Sequence, residues 1–237
     1  YTLSIAGAGE ENAATGDLDI RDDVTIEGAG AGLTILDGGA LDRVLHVQPM
    51  NVATLAVTVR GVRIVNGALA DDGGAGILHA DEGVLTVLDS LLTENHVSGS
   101  TTSARGGAIA ASGVGALNIH NTVLTENSAH RGAAIFHNGP LTLSDTTVSA
   151  NAAAGGAALD SYGSASIERC AFHGNTGGAL SVDGGSLVNS TVSGNDSLFG
   201  GDGNDFLLTG SGLNFASGGL GNDTINGGID SDILQGD

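Results

Sequence analysis

Glycine and aspartate recur at a fixed spacing in residues 191–237. From Thr191 the chain divides into nine-residue units. Two of them, GGDGNDFLL at 200–208 and GGLGNDTIN at 218–226, place Gly at positions one, two and four and Asp at position six. Glycine allows the backbone to curl so that carbonyl oxygens converge, and each Asp adds a carboxylate oxygen. A flexible site built only from oxygen atoms suits Ca²⁺ rather than zinc or another transition metal. The spacing therefore predicts calcium-binding turns.

Two successive units are expected to form the opposite halves of one coil, so that turn 200–205 lies beside turn 218–223. Asp205 and Asp223 are the principal predicted ligands. The predicted backbone contributors are the carbonyls of Gly200, Gly201, Gly203, Gly219 and Gly221. The opposite edge stacks Asp196, Asn214 and Asp232, and it is expected to bind more weakly because Asn214 stands where an Asp is expected. Asp202, between two glycines, is either a further ligand or an exposed side chain.

The charge of this segment bears on its folding. Residues 191–237 contain seven Asp and no Arg, Lys or His, and each unit supplies only one assured inward aliphatic residue. Carboxylates without an internal cation repel one another, whereas bound Ca²⁺ removes the repulsion and supplies folding free energy. We therefore expect residues 196–237 to be disordered in chelator and to form β-structure with Ca²⁺. The alternative is that these are Asp-Gly turns that need no ion.

The nine-residue units resemble the G-G-x-G-x-D-x-U-x nonapeptides of RTX (hemolysin-type) β-roll proteins. The resemblance implies a protein secreted by a type I system of a Gram-negative bacterium and located outside the cell or on its surface. It also implies folding triggered by calcium: low calcium inside the cell keeps the segment unfolded and exportable, and high external calcium locks it.

A longer repeat organises the residues before 190. The chain contains 41 Gly but 2 Pro and no Trp, a composition that disfavours helices and favours strands joined by tight turns. Strand-like blocks end in Asn95, Asn127, Asn151, Asn175 and Asn195. Between them, small-residue turns lead to an aliphatic residue at Ile77, Ile109, Ile135, Leu159 and Leu180, and a third strand signal completes each unit. Three short strands per unit describe one coil of a parallel β-helix, with the Asn side chains hydrogen-bonded coil to coil and glycine turning the corners.

The blocks GGAGI, RGGAI and GGAAL, with the Asn-ending strands, resemble the right-handed parallel β-helix repeats of bacterial surface proteins. GGAL at 177–180 and FHGN at 172–175 are similar to the repeats of polymorphic outer-membrane proteins. The expected fold class is all-β: a right-handed single-stranded parallel β-helix at 1–190 that continues into an RTX parallel β-roll at 191–237. The resemblance implies an adhesin, a matrix protein or a cell-surface structural protein, of which this chain is expected to be a fragment.

The charge balance limits the partners. The chain has 27 acidic residues against 7 basic ones, all Arg, and its net charge is −20. Such a surface repels nucleic acid and anionic lipid and attracts cations. No apolar run is long enough to predict a membrane span. Besides calcium ions, the expected partners are extracellular glycans or cell-surface components. The single Cys170 precedes an Asn at the same offset as Thr122, Thr146 and Ser190, which predicts a small buried residue rather than a nucleophile.

An enzyme is the alternative function, since parallel β-helices joined to RTX repeats also occur in secreted polysaccharide lyases and uronan epimerases. Their chemistry needs an acid, a base and a cation that neutralises the sugar carboxylate. The candidates are Arg60, Arg63, His79, Asp81, His137, Asp160 and Tyr162. In the repeat these residues form no constellation, and His79 and His137 are expected to point inward or into a corner. Two Tyr and no Trp leave little for stacking sugar rings. We therefore predict no catalytic residues and favour a binding or structural role.

Overall fold

The computed structural model describes residues 1–5, 7, 15–48, 54–80, 82–193, 195, 198–202, 206–208, 215–227 and 231–236. All regular structure in these residues is β-strand, as the composition predicts. Within the same residues no helix has the length and apolar character needed to cross a bilayer.

The strands are short, and most contain three to five residues. In chain order they are β1 (Leu18–Ile20), β2 (Val24–Glu27), β3 (Ile35–Asp37), β4 (Leu45–Val47), β5 (Ala56–Arg60), β6 (Arg63–Val65), β7 (Ala68–Ala70), β8 (Ile77–His79), β9 (Val84–Leu88), β10 (Leu91–Thr93), β11 (His96–Ser98), β12 (Ile109–Ala111), β13 (Ala116–His120), β14 (Val123–Thr125), β15 (Ser128–Ala129), β16 (Ile135–His137), β17 (Leu141–Ser144), β18 (Thr147–Ser149), β19 (Ala152–Ala153), β20 (Leu159–Ser161), β21 (Ala165–Glu168), β22 (Ala171–His173), β23 (Leu180–Val182), β24 (Gly185–Val188), β25 (Thr191–Ser193), β26 (Leu198–Asp202), β27 (Phe206–Leu208), β28 (Phe215–Leu220), β29 (Thr224–Asn226) and β30 (Ile233–Gln235).

These strands stack in parallel sheets along the length of a solenoid. A ten-stranded sheet has the order β1-β4-β8-β12-β16-β20-β23-β26-β28-β30. One seven-stranded sheet runs β2-β5-β9-β13-β17-β21-β24, and another runs β3-β6-β10-β14-β18-β22-β25. A four-stranded sheet, β7-β11-β15-β19, lies at one corner of the middle coils, and β27 pairs with β29. The architecture confirms the predicted parallel stacking of one strand per coil in each sheet.

Coil length falls along the chain. The corner residues Asn95 and Asn127 lie 32 residues apart in sequence, whereas Asn127 and Asn151 lie 24 residues apart. Near the C terminus Ala216 pairs with Leu234, so a coil there spans only two of the nine-residue units. Earlier coils are therefore wider, as the looser spacing of the first ninety residues predicts. The ten-stranded sheet continues across the predicted boundary at residue 190, and the two-domain division remains a prediction.

The core is a set of columns of like residues. Parallel in-register stacking places every second residue of a strand inside, above the equivalent residue of the preceding coil. One such column contains Ile64, Leu92, Leu124, Val148, Phe172 and Val192, all almost completely buried. Burying each of these larger aliphatic or aromatic side chains stabilises the fold by about 1.5–3 kcal/mol. Strand alternation predicts that Val123 or its immediate neighbour lies in this column, and it is the neighbour, Leu124, that faces the core, whereas Val123 is 39% exposed.

The predicted asparagine ladder is confirmed. Each Asn side-chain amide donates to the Oδ1 atom of the Asn in the next coil, at 3.0 Å from Asn95 to Asn127 and at 2.8 Å from Asn175 to Asn195. The same amides also donate to backbone carbonyls two residues back and in the preceding coil. The ladder therefore satisfies buried backbone groups at this corner without water.

A second ladder of hydroxyl groups occupies another corner. Ser90, Thr122, Thr146 and Ser190 each donate from the side chain to the carbonyl two residues earlier. Cys170 occupies the same position, where its thiol contacts the Glu168 carbonyl at 3.3 Å. Burial raises the pKa of this thiol, which opposes thiolate formation. The prediction that Cys170 is a buried small residue is confirmed.

Glycine turns only some of the corners. Gly74, Gly106 and Gly132 have positive φ as predicted. The residues before the Asn ladder also have positive φ but include Glu94, Glu126 and Ala150. At these corners the next residue's N–H donates a hydrogen bond to the following coil's Asn, for example Asn95 N to Asn127 Oδ1 at 3.1 Å. That bond stabilises a conformation that is unfavourable for residues with a Cβ.

Candidate functional site

The predicted calcium turns are described in part. Gly200, Gly201 and Asp202 lie in β26, and Gly219 lies in β28. Gly221, Asp223 and Asp232 are also described, whereas the predicted ligands Asp196, Gly203, Asp205 and Asn214 lie outside the described residues. Gly201 is the partner of Gly219, two nonapeptides further along the chain, so these two predicted turns begin side by side.

In two units the Asp at position six lies against the glycine at position one. A Cβ at Gly218 would collide with the carboxylate of Asp223, and a Cβ at Gly227 would collide with that of Asp232. Gly219 and Gly221 have φ values of 95° and 133°, which side-chain-bearing residues rarely adopt. Glycine at these positions is therefore required by close approach and by backbone conformation. The result is a backbone curl with a carboxylate folded onto it, and such oxygen-rich turns fit a hard cation such as Ca²⁺.

Most of the enzyme candidates are separated in space. Arg60 pairs with Glu27 at 3.7 Å on one seven-stranded sheet, whereas Arg63 pairs with Glu94 at 3.1 Å on the other. His79 and His137 are buried on the inner side of the ten-stranded sheet, two coils apart in one column. Asp81 lies outside the described residues. No acid and base are brought together among these four described side chains.

His137 is held by the backbone. Its Nδ1 lies 3.3 Å from the carbonyl oxygen of Ala111, and its Nε2 lies 3.1 Å from that of Pro140. Burial lowers the pKa of His137, although both carbonyls favour its protonated form. The inward orientation expected for this residue is confirmed.

Asp160 and Tyr162 do come together, through Arg131. The Nε atom of Arg131 lies 2.8 Å from Oδ2 of Asp160, whose side chain is 2% exposed. The Arg131 guanidinium also lies 5.3 Å from the centre of the Tyr162 ring, and that ring stands 5.7 Å from the ring of Phe136. These residues lie on the outer face of the ten-stranded sheet, where Tyr162 is 41% exposed. Arg131 and Tyr162 are partly exposed, whereas Asp160 and Phe136 are buried, and we call these four residues the Arg131 patch.

The pKa shifts in the Arg131 patch oppose proton abstraction by Tyr162. Burial raises the pKa of Tyr162, and the negative charge of Asp160 raises it further. A tyrosine that abstracts a proton needs the opposite shift, toward the working pH. Burial likewise raises the pKa of Asp160 against the influence of Arg131.

Sequence reasoning did not connect Arg131 with Asp160. The pairing of Ile135 with Leu159 places Arg131 one coil before the turn that precedes Asp160. A register built from the aliphatic positions could have indicated the contact, since Arg131 occupies the same place before Ile135 as Arg105 does before Ile109. The guanidinium of Arg105 lies 4.6 Å from the centre of the Phe136 ring.

Comparison with protein families gives one match, to a model described as a right-handed beta helix region, over residues 51–226. Comparison with curated proteins and with solved structures returned no match. The family match covers most of the solenoid, including the first of the short coils built from two nonapeptides.

Proposed function

We propose, starting from the fact that this chain belongs to the right-handed β-helix family, that it is an extracellular calcium-binding β-solenoid whose C-terminal repeats fold on binding Ca²⁺. Residues 191–237 form an RTX-type β-roll in this proposal, and the preceding coils form a rod that serves adhesion, a matrix or the cell surface. Export through a type I system of a Gram-negative bacterium belongs to the same proposal.

The observation that carries the proposal is the register of the last coils, which advances by two nonapeptides from one coil to the next. Leu198 pairs with Ala216, Ala216 with Leu234, and Leu207 with Ile225. Each of these coils places one strand in the ten-stranded sheet and, in β27 and β29, another in the opposite two-stranded sheet. Two strands and two turns per coil are what paired nonapeptides require.

The thin core of these coils supports a role for the ion. Leu207 and Ala216 are buried, and Ile225 packs partly buried against them, but Leu234 is 46% exposed. Among the described side chains of this segment, few apolar contacts are thus available to offset the entropy of ordering it and the mutual repulsion of its seven Asp. Calcium supplies both neutralisation and binding free energy.

Circular dichroism and hydrogen exchange of the full chain, in chelator and then in millimolar Ca²⁺, test the proposal. We expect Ca²⁺ to add β-structure and to slow exchange in residues 198–236, with little change in residues 84–193. Mg²⁺ is the matched control, because its small octahedral shell suits these flexible turns poorly. Identical spectra and exchange rates with and without Ca²⁺ would contradict the proposal.

A polysaccharide lyase or uronan epimerase is the second candidate, and the Arg131 patch is the observation that favours it. Arg131 supplies a cation for a uronate carboxylate, and Tyr162 supplies an exposed ring. Incubation of the full chain with alginate and with pectin distinguishes the two functions. Unsaturated chain ends or changed uronate ratios support the enzyme, whereas glycan binding without turnover supports the adhesin.

A further inference from the structure

A cluster of two carboxylates and an imidazole lies at the other end of the solenoid. Asp19 in β1 is the Cα partner of His46 in β4, and both side chains project from the outer face of the ten-stranded sheet. Asp17 precedes Asp19 by two residues and lies on the same face. The next strand of the sheet places Leu78 in this column, so the apolar residue closes one side of the cluster.

The three side chains converge without bonding tightly to one another. Nδ1 of His46 lies 3.4 Å from Oδ1 of Asp19 and 4.0 Å from Oδ2 of Asp17. One ligand atom from each residue lies within 4.8 Å of the other two. Ligand atoms about 2.0–2.2 Å from a tetrahedral Zn²⁺ lie about 3.3–3.6 Å from one another, so the shorter separation matches such a site and the longer one requires a small side-chain movement. Each side chain is more than nine-tenths buried.

Two neighbouring arginines contact the carboxylates of the cluster. Arg43 divides its guanidinium between Asp17, at 3.3 Å, and Asp72, at 2.7 Å. Arg21 approaches the other oxygen of Asp19 only to 3.6 Å. A cation bound between the two carboxylates would offset part of the cost of burying them.

A cleft borders Asp17, one of the three side chains of the cluster. It has a volume of about 200 Å³ and is lined by Thr15, Gly16 and Asp17 together with residues 2–5. A space of this size admits a hydrated ion and the water molecules that would complete its coordination.

We propose that Asp17, Asp19 and His46 form a second cation site, which takes a divalent transition metal of the Zn²⁺ class. Imidazole nitrogen distinguishes this site from the all-oxygen turns near the C terminus, since imidazole suits zinc and its neighbours whereas Ca²⁺ prefers oxygen. The two carboxylates and one nitrogen supply three protein ligands, and water from the cleft supplies the remainder. The proposal does not depend on calcium binding by the nonapeptides.

Titration of the chelator-stripped full chain with Zn²⁺, at saturating Ca²⁺, tests the site by calorimetry. We expect one equivalent to bind, and we expect His46→Gln to weaken its affinity at least tenfold. His120→Gln is the matched control, because His120 also lies beside a carboxylate, that of Asp145 at 3.3 Å, but is exposed on a different sheet. Absence of saturable binding, or equal affinity in His46→Gln and the wild type, would overturn the proposal and leave an ion-pair cluster only.

If His46→Gln does not fold, the proposed site is tested in the wild-type chain instead. Co²⁺ is bound as a spectroscopic substitute for Zn²⁺, and its ligands are identified. X-ray absorption should show one imidazole nitrogen among oxygen ligands. A coordination sphere without nitrogen would place the ion elsewhere and overturn the proposal.

Discussion

At the scale of single residues, the carboxylate of Asp223 lies over Gly218, and that of Asp232 lies over Gly227. The two turns repeat one arrangement in successive nonapeptides, although their sequences differ at the intervening positions. Asp-Gly turns that formed without an ion would not need to place the carboxylate over the first glycine in each unit. The common geometry makes the carboxylates the natural points at which to test calcium binding.

Asp223→Asn is expected to weaken Ca²⁺ binding at least tenfold, which corresponds to about 1.4 kcal/mol. The substitution removes a carboxylate charge while keeping the size of the side chain. Asp183→Asn, an exposed carboxylate on the preceding coils, is the matched control. Calcium titration followed by calorimetry measures both, and an unchanged affinity in Asp223→Asn would exclude this residue as a ligand.

His137 predicts a pH dependence of stability. Its folded-state pKa lies below the ordinary value of about 6.5, so the unfolded chain binds a proton more readily than the folded one. The contribution of His137 is therefore fully present above about pH 6.5 and is lost as the pH falls toward the folded-state pKa. We expect urea unfolding midpoints to fall between about pH 6.5 and 5, and to fall less in His137→Gln. His173→Gln, at an exposed position, should keep the wild-type slope; equal slopes in all three proteins would contradict the assignment.

At the scale of elements, the ladders explain why strands of only three residues remain in register. A slip of one residue would bring a different side chain into each inward column and would break the ladder bonds. The side chain of Asn151 alone takes part in five hydrogen bonds. Its amide donates to Leu124 O, Ser149 O and Asn175 Oδ1, while its own Oδ1 accepts from the backbone and the side chain of Asn127.

Asn151→Ala is expected to reduce the free energy of unfolding by on the order of 2–4 kcal/mol, because it leaves several buried polar groups without partners. Asn118→Ala, on the outer face of β13, should change it by less than about 0.5 kcal/mol. Urea denaturation at constant Ca²⁺ compares the two variants. Equal stability of the two would show that the ladder contributes little to the fold.

At the scale of the whole molecule, charge is unevenly distributed along the chain, because all seven Arg lie before residue 190. The middle coils carry arginine–carboxylate pairs, such as the double contact of Arg169 with Asp145 at 2.7 and 2.8 Å. Residues 191–237 contribute acidic groups only. The coils before residue 190 thus contain arginines that pair with part of their acidic groups, whereas residues 191–237 contain none.

Added salt is expected to stabilise the chelator-treated chain, because screening reduces the repulsion within a molecule of net charge −20. Thermal unfolding between about 0.05 and 0.5 M NaCl measures this, and Tm should rise across the series. The rise should be smaller at saturating Ca²⁺, since bound ions have already neutralised part of the charge. A Tm that falls with salt would show that attractive ion pairs outweigh the repulsion.

The repeat in the sequence was sufficient to predict the parallel solenoid, the asparagine ladder and the burial of Cys170. Parallel in-register stacking explains this, because equivalent residues of successive coils become neighbours and a period along the chain translates directly into contacts. Alternation within a strand left the inward residue open between Val123 and its neighbour, and the structure places Leu124 inside. The corners before Asn95 and Asn127 do without glycine, because hydrogen bonds from the backbone N–H groups of these Asn residues stabilise positive φ at Glu94 and Glu126.

Only the tertiary structure decided the contacts between turns and the outer faces of the sheets. The Arg131 patch and the cluster of Asp17, Asp19 and His46 each add a residue from outside the strands to one register pair, Phe136 with Asp160 and Asp19 with His46. The register brings the paired residues together, but the direction in which a long side chain such as Arg131 extends is not encoded in the period. The sequence by itself determined the stack and predicted the calcium-type turns, whereas the folded coils determined which charged groups share one surface.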